Sequence, residues 1–379
     1  MKILEIISDT NIGGAGIVLL TRINSAPSEY KNSTTVILPK GSALKRRFEA
    51  CGIKVEEIRI KGDRSLDFIA IFKYKKLLKR HSPDIINCHG ALSCRIAAYL
   101  CRIPVRLYTR HCAFPLSKIC GNKLYKKLIG YIQMRLSNYV IAVAEAAKTN
   151  LIDMGINENK ITVIINGVDE TRASSKDEKE ALRKKLNIYS GCSVVSIFAR
   201  LEKCKGHEDF LNAAKIISEY SPNFKFLIVG DGSEKFSLKE KCKELGLNPY
   251  VVFTGFIEKT SPYFSITDIN VNCSNGTETS SLALSEGMSL GIPAVVSDFG
   301  GNPHMVRNGY NGFVYPSGDY KTLAKYIIFL SENKDEYLVF SQNAKKRYEG
   351  EFNSKEMSRQ TYALYKELAC RHSIKTQKS

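Results

Sequence analysis

No C-x-x-C pair occurs in the 379 residues, and no apolar stretch approaches the length that spans a bilayer. The first absence removes the usual thiol-redox and paired-cysteine zinc patterns. The eleven cysteines are odd in number, and Cys192 and Cys273 sit inside apolar, strand-like runs, so most read as small buried hydrophobes of a reducing compartment. Clustered thiolates or imidazoles are also lacking, which leaves no metal site to expect. The opening Met1–Ile7 has neither the basic region nor the long apolar core of a secretion signal, because Glu5 interrupts it. The expectation is a cytoplasmic chain. Low-complexity tracts are absent as well; only Thr171–Glu180 and the tail after Arg371 read as weakly structured.

Acidic residues are scarce: 38 Asp and Glu stand against 56 Lys and Arg, a formal net charge of +18. Through Asp169 the count is 27 basic against 13 acidic, and beyond it 29 against 25, so the excess is concentrated in the first half. Such a field suits an anionic partner, whether a membrane surface, a nucleic acid or an acidic substrate, and equally a solvated basic face. A nucleic-acid binder would interleave its cations with stacking aromatics or carry a recognition motif. Here the Lys and Arg are spread over helix faces, and no nucleic-acid partner is expected.

What is present in quantity is Val/Ile-rich runs alternating with stretches of helical period. The runs Lys2–Ser8, Ser33–Pro39, Ile85–His89, Val105–Arg110, Tyr139–Ala144 and Ile161–Asn166 form one series, and Ser193–Ala199, Phe224–Gly230, Tyr250–Gly255, Asp268–Ser274 and Pro293–Ser297 a second. Alternation of this kind specifies α/β architecture with parallel sheets. Two Rossmann-like domains are predicted, joined near Asn166–Glu180. In the predicted helix Lys123–Leu136, residues Leu124, Leu128, Ile132 and Leu136 recur one turn apart between lysines and arginines. Such a stripe ordinarily packs on a sheet; the other reading is a helix lying on a membrane surface.

In open α/β sheets ligands bind beyond the carboxyl ends of the strands, so the chemistry is sought there. After the first strand, Gly13 and Gly14 open an apolar helix and let backbone N–H groups approach a ligand. The loop lacks the dinucleotide fingerprint. His89 and His111 each follow a strand and can hydrogen-bond a sugar hydroxyl or a phosphate. After the first strand of the second series, Arg200 and Lys205 place a guanidinium fork and a mobile ammonium where a diphosphate could be neutralised. Further on, Asn275–Ser281 is a short polar loop in which Thr279, Ser280 or Ser281 can cap a helix ended by Gly291 and Pro293. Glu278 lies before that helix and Glu286 within it, placed to accept from ribose and sugar hydroxyls.

These residues together resemble the retaining glycosyltransferases of the GT-B fold, family 4, also called group 1. The carriers are Glu278 and Glu286 as an E-x7-E motif, Arg200 with Lys205-Gly206, Ile165–Asp169 at the domain junction, and Gly300–Pro303 with Gly309–Gly312. The likeness runs in order along nearly the whole chain. It implies two Rossmann-like domains facing each other across a donor-binding cleft: residues 1–169 for the acceptor, 170–353 for the nucleotide sugar, and a helix within 354–379 returning to the first. It also implies that Arg200 and Lys205 stabilise the leaving nucleotide diphosphate and that Glu286 binds ribose. Glu278 lies beside the donor sugar, and His111 near the reacting centre. Gly13, Gly14, Gly230, Ile257, Ser281 and Leu282 complete the donor contacts. No cofactor and no metal are implied, since protein cations and helix termini take the charge. His304 stands where the family has Glu, and Thr279-Ser280 replaces a smaller pair, which bears on donor choice. The implied substrates are a nucleotide-sugar donor, a UDP-sugar foremost, and a glycan or lipid-linked acceptor at the inner face of an anionic membrane. An epimerase of the same fold would need acid/base residues at the sugar ring, and no distinctive set is seen.

Overall fold

The computed structural model describes residues 1–61, 66–111 and 123–376, without side chains at 123–126 and 373–376. They form two compact units, Met1–Asp169 with the segment from Ser354 onward, and Glu170–Asn353. The weakly patterned stretch after Thr171 is ordered: the helix Lys176–Lys185 begins on a capping box in which Ser175 and Glu178 satisfy each other's backbone N–H groups. Cys112 and Cys120 lie outside the described residues.

The first unit holds a seven-stranded parallel sheet in the order β3-β2-β1-β4-β5-β6-β7. Its strands are β1 (Ile3–Ile7), β2 (Thr34–Pro39), β3 (Lys54–Ile58), β4 (Ile85–His89), β5 (Val105–Arg110), β6 (Tyr139–Ala142) and β7 (Ile161–Val163). Leu4 and Ile6 pack with Ile37, Ile86 and Cys88 against the helices Phe68–His81 and Leu92–Leu100. The terminal helix Ser354–Thr376 packs beside the helix Gly14–Asn24. The second unit holds a six-stranded parallel sheet, order β10-β9-β8-β11-β12-β13. Its strands are β8 (Ser193–Phe198), β9 (Phe224–Val229), β10 (Val251–Gly255), β11 (Ile269–Asn272), β12 (Ala294–Ser297) and β13 (Gly312–Tyr315). Its core is aliphatic and aromatic, built on Ile197, Phe210, Phe226, Leu323 and Phe340.

Two strands were not expected from the sequence, β3 and β13, and both are sheet edges. With a single neighbour each, they need no continuous apolar run. The helix Lys123–Leu136 forms where expected, but Leu128, Tyr131 and Ile132 on it are 56%, 62% and 41% exposed. Leu128 and Ile132 of the expected stripe therefore face solvent rather than the sheet, Leu136 is half-buried, and Gly130 is the buried position, where a Cβ would meet the Gly155 carbonyl at 2.0 Å. Leu124 of that stripe lies among the side chains not described.

Candidate active site

In the first unit, Gly13-Gly14 and His111 follow the carboxyl ends of β1 and β5, and His89 is the last residue of β4, which lies between those two strands. Gly13 is the N-cap of the helix Gly14–Asn24 and bears no capping side chain. A Cβ at Gly14 would touch nothing within 4 Å, so that glycine leaves open space at the helix start. Behind the loop, β1 carries Glu5 on the face opposite Leu4 and Ile6, and the carboxylate is fully buried. Arg22 ion-pairs with Oε1 at 2.6 Å, and the hydroxyls of Tyr30 and Tyr365 donate to the same oxygen at 3.2 and 2.9 Å. Oε2 accepts from Asn87 at 3.1 Å and lies 2.9 Å from His89 Nε2. Burial alone would raise this carboxyl, but Arg22 and the His89 and Tyr365 hydrogen bonds overcome it and hold the group at about 2.

The chain of contacts continues outward. His89 Nδ1 lies 2.6 Å from His111 Nε2. Burial lowers the affinity of both imidazoles for a second proton; for His89 the bond it donates to Glu5 only partly offsets this, and for His111 the neighbouring His89 and the Arg22 charge add to it. Both rings are thus neutral near pH 7, and an ionised Glu5 sets their tautomers. His89 Nε2–H donates to Glu5, His111 Nε2–H donates to His89 Nδ1, and His111 Nδ1 keeps a lone pair. A neutral hydrogen-bond acceptor at the carboxyl edge of the sheet is the result.

In the second unit, Arg200, Gly230, Ile257 and Glu278 follow β8, β9, β10 and β11, four neighbouring strands. Lys205 ends the short 3-10 turn Lys203–Lys205. Its Nζ donates to Glu278 Oε2 at 3.0 Å and to the Thr277 carbonyl at 3.1 Å. Asn272 Nδ2 and Ser274 Oγ donate to the same carboxylate oxygen at 3.1 and 2.9 Å. Three donors on Oε2 leave Oε1 without a partner among the described residues. Arg200 is exposed and pairs with Glu202 at 2.6 Å. The loop holding Glu278 rests on two glycines: a Cβ on Gly300 would lie 2.1 Å from the Glu278 carbonyl oxygen, and one on Gly301 1.8 Å from that of Thr279. Asn302 then reaches Ser297 Oγ and Asn272 Oδ1, bracing the side chain that holds Glu278.

Ser281 is the N-cap of the helix Leu282–Ser289, its hydroxyl accepting from the Leu284 N–H. Leu282 is its first residue and Glu286 lies in its second turn. Burial pushes the Glu286 carboxyl up to about 7, opposed only by a 3.3 Å hydrogen bond from the Thr260 hydroxyl. The structure therefore gathers Lys205 and Glu278 in contact and sets Glu286 apart, half-buried, on the adjoining helix. Arg200 stands at the same strand edge without touching them. Asn302 stood in the sequence only as part of the Gly300–Pro303 carrier, with no role given, and Asn272 and Ser274, and in the first unit Glu5, Arg22 and Tyr365, were not singled out. A polar residue inside an apolar strand run, as at Glu5 and Asn272, was the available signal.

Helices flanking parallel sheets, with polar groups converging at the strand carboxyl ends, define the two α/β domains of the GT-B class. The solved structure of HepE from Anabaena in complex with UDP matches with a TM-score of 0.84 at 24% identity, covering 97% of this chain and 100% of that one. Residues 12–172 match the family model described as Glycosyltransferase Family 4, and residues 178–347 that described as Glycosyl transferases group 1. The UDP-Gal:alpha-D-GlcNAc-diphosphoundecaprenol alpha-1,3-galactosyltransferase of Escherichia coli is 28% identical over 296 residues, 76% of either chain. The capsular polysaccharide biosynthesis glycosyltransferase CapM of Staphylococcus aureus is 26% identical over 309 residues, 79% of this chain and 80% of that protein. The chain belongs to the family 4, group 1 glycosyltransferases.

Proposed function

We propose that this protein is a metal-independent, retaining glycosyltransferase that moves a hexose or N-acetylhexosamine from a UDP-sugar to a glycan or lipid-linked acceptor of surface polysaccharide synthesis. The observation that carries the reading is the Lys205–Glu278 pair, whose second carboxylate oxygen is left open while Asn272 and Ser274 hold the first. That open oxygen, on a carboxylate already held by three donors, is an acceptor positioned for hydroxyls of a donor sugar. Lys205 and the exposed Arg200 supply two positive charges to a departing diphosphate, and the N-terminus of the helix Leu282–Ser289 adds a third, partial one. Glu286 accepts from the ribose hydroxyls, which supply donors that the Thr260 bond alone does not.

In this reading the departing phosphate takes the acceptor proton as the new bond forms on the face the nucleotide leaves, so no side-chain nucleophile is required. His111, neutral with its Nδ1 lone pair available, orients a sugar hydroxyl. UDP in the HepE complex and the UDP-galactose and diphosphoundecaprenol substrates of the E. coli relative support a uridine nucleotide and a lipid-linked acceptor. An acceptor of that kind puts the enzyme at the inner face of the cytoplasmic membrane.

The test is a thermal-shift comparison of UDP, GDP, ADP and CMP and their sugars in chelator-treated protein, repeated with Arg200→Ala and Glu286→Ala. A ligand that binds only the folded chain raises its transition. UDP is expected to do so, with the shift reduced in both variants and the product anomer matching the donor. A product of inverted configuration or strict dependence on added metal refutes the mechanism, and no nucleotide-dependent shift refutes the donor assignment.

A further inference from the structure

The helix Phe68–His81 buries Ala70, Ile71, Tyr74, Leu77 and Leu78 on one side. Its opposite side is not the polar surface that burial pattern would ordinarily leave. Phe68, Ile69 and Phe72 are 71%, 67% and 71% exposed, and Leu66 just before the helix is 46% exposed. At 100° per residue the two phenylalanines fall on one line along the helix, with Lys76 and Lys79 continuing it. Burying apolar side chains of this size is favourable, so several left gathered in one exposed turn mark a surface with a partner.

Beside that turn the carboxyl ends of β2 and β3 and the helix border an open pocket of about 560 Å³. Lys40, Arg59, Lys61 and Lys73 line it, and none of the four makes an ion pair with a described carboxylate. The acids nearby are engaged elsewhere. Asp67 caps the helix by accepting from the Ile69 and Ala70 N–H groups, Glu57 pairs with Lys45, and Glu56 pairs with Arg80 and His81. Positive charge and apolar side chains thus meet at one place.

We propose that this corner of the first unit docks on an anionic phospholipid bilayer. Phe68, Ile69 and Phe72 enter the headgroup–acyl boundary, while Lys40, Arg59, Lys61 and Lys73 take lipid phosphates. The charge selects this occupant: a second copy of the chain seated face to face would set cations against cations, whereas an anionic leaflet neutralises them and accepts the rings. The docking corner and the His89–His111 pair lie on the same edge of one sheet. Docking would therefore hold that edge toward the leaflet, a consequence that rests on the lipid-linked acceptor proposed above, whereas the docking itself does not.

The sequence has no tryptophan, so Phe72→Trp creates a single fluorescent reporter. With vesicles of phosphatidylcholine and phosphatidylglycerol in equal parts, its emission is expected to shift to the blue and to be quenched by brominated acyl chains. Phosphatidylcholine alone should give neither effect. In flotation of the full chain, Phe68→Ser/Ile69→Ser/Phe72→Ser and, separately, Lys40→Gln/Arg59→Gln/Lys61→Gln/Lys73→Gln are each expected to weaken binding to the anionic vesicles by about tenfold or more. Circular dichroism and the UDP thermal shift should stay unchanged. The proposal is overturned by an unshifted reporter, by undiminished flotation of the serine variant, or by equal binding to neutral vesicles. It is also overturned if flotation is lost instead on Leu128→Ser/Ile132→Ser, or if the serine change abolishes a dimer seen by sedimentation. Loss of the UDP shift in the wild type would refute the donor assignment and leave the vesicle result standing.

Discussion

Glu286 offers a test in which stability and binding move in opposite directions. Its carboxyl titrates near 7 because burial disfavours the charge and one hydroxyl at 3.3 Å is its compensation. The ordinary value, 4.5, applies to the unfolded chain. Below 4.5 both states are protonated and the side chain costs the fold nothing. As pH rises through the interval from 4.5 to 7, the unfolded chain releases the proton first, and stability falls until the folded carboxyl has also ionised. The gap corresponds to about 3 kcal/mol, and partial solvent access reduces this to about 1–2 kcal/mol. Glu286→Gln keeps the shape and the acceptor for Thr260 while removing the charge. Urea unfolding without nucleotide should therefore find the variant about 1–2 kcal/mol more stable than wild type at pH 8 and equal to it at about pH 4. With UDP the order reverses: losing a charged acceptor for ribose hydroxyls costs about 1.5–3 kcal/mol, roughly 10- to 150-fold in affinity by calorimetry. A gain of the same size at both pH values would show that burial does not disfavour the ionised carboxylate. Undiminished UDP affinity would remove Glu286 from the donor site.

Glu5→Gln leaves Arg22 buried without its counter-charge and should cost about 3–5 kcal/mol in urea unfolding. Because the folded carboxyl is held at about 2, below its ordinary 4.5, the wild type keeps this contribution above pH 4.5 and loses it as pH falls toward 2. An acid-unfolding midpoint that does not move in the variant would contradict this. His111→Ala should lower turnover about 100-fold with UDP affinity retained, and the wild-type rate should show no imidazole titration between pH 7 and 8, since burial lowers the proton affinity of both rings and leaves them neutral there. An imidazole-like rise in rate across that range would show that a ring carries a proton. Gly301→Ala drives a methyl into the Thr279 carbonyl and should destabilise by about 1–3 kcal/mol, read as a lower urea midpoint. An unchanged midpoint would mean the two loops are not in contact.

Much of the architecture was legible along the chain because buried parallel strands are continuous apolar runs separated by helical period. The two edge strands escaped because Lys-Val-Glu-Glu-Ile and Gly-Phe-Val-Tyr carry too little of that pattern. At the site, the placement of Arg200, Gly230, Ile257 and Glu278 at strand ends was foreseeable, since parallel connectivity sends every strand's carboxyl end to the same edge. The contacts between them were not. That Lys205 meets Glu278 across 73 residues, or that Tyr365 donates to Glu5 across 360, depends on how strands are ordered in the sheet and on where the last helix packs.

The order of residues alone determined the strand-helix alternation, the helix caps and the glycines that admit a close backbone, because those follow from local sterics and hydrogen bonding within a few positions. Tertiary structure decided the charge states. Glu5 and Glu286 are the same side chain with the same ordinary acidity, yet packing surrounds one with five donors and the other with a single hydroxyl, which holds the first near 2 and the second near 7. It also decided that Phe68, Ile69 and Phe72 face outward beside four cations, since which side of a helix meets water depends on what the other side is packed against.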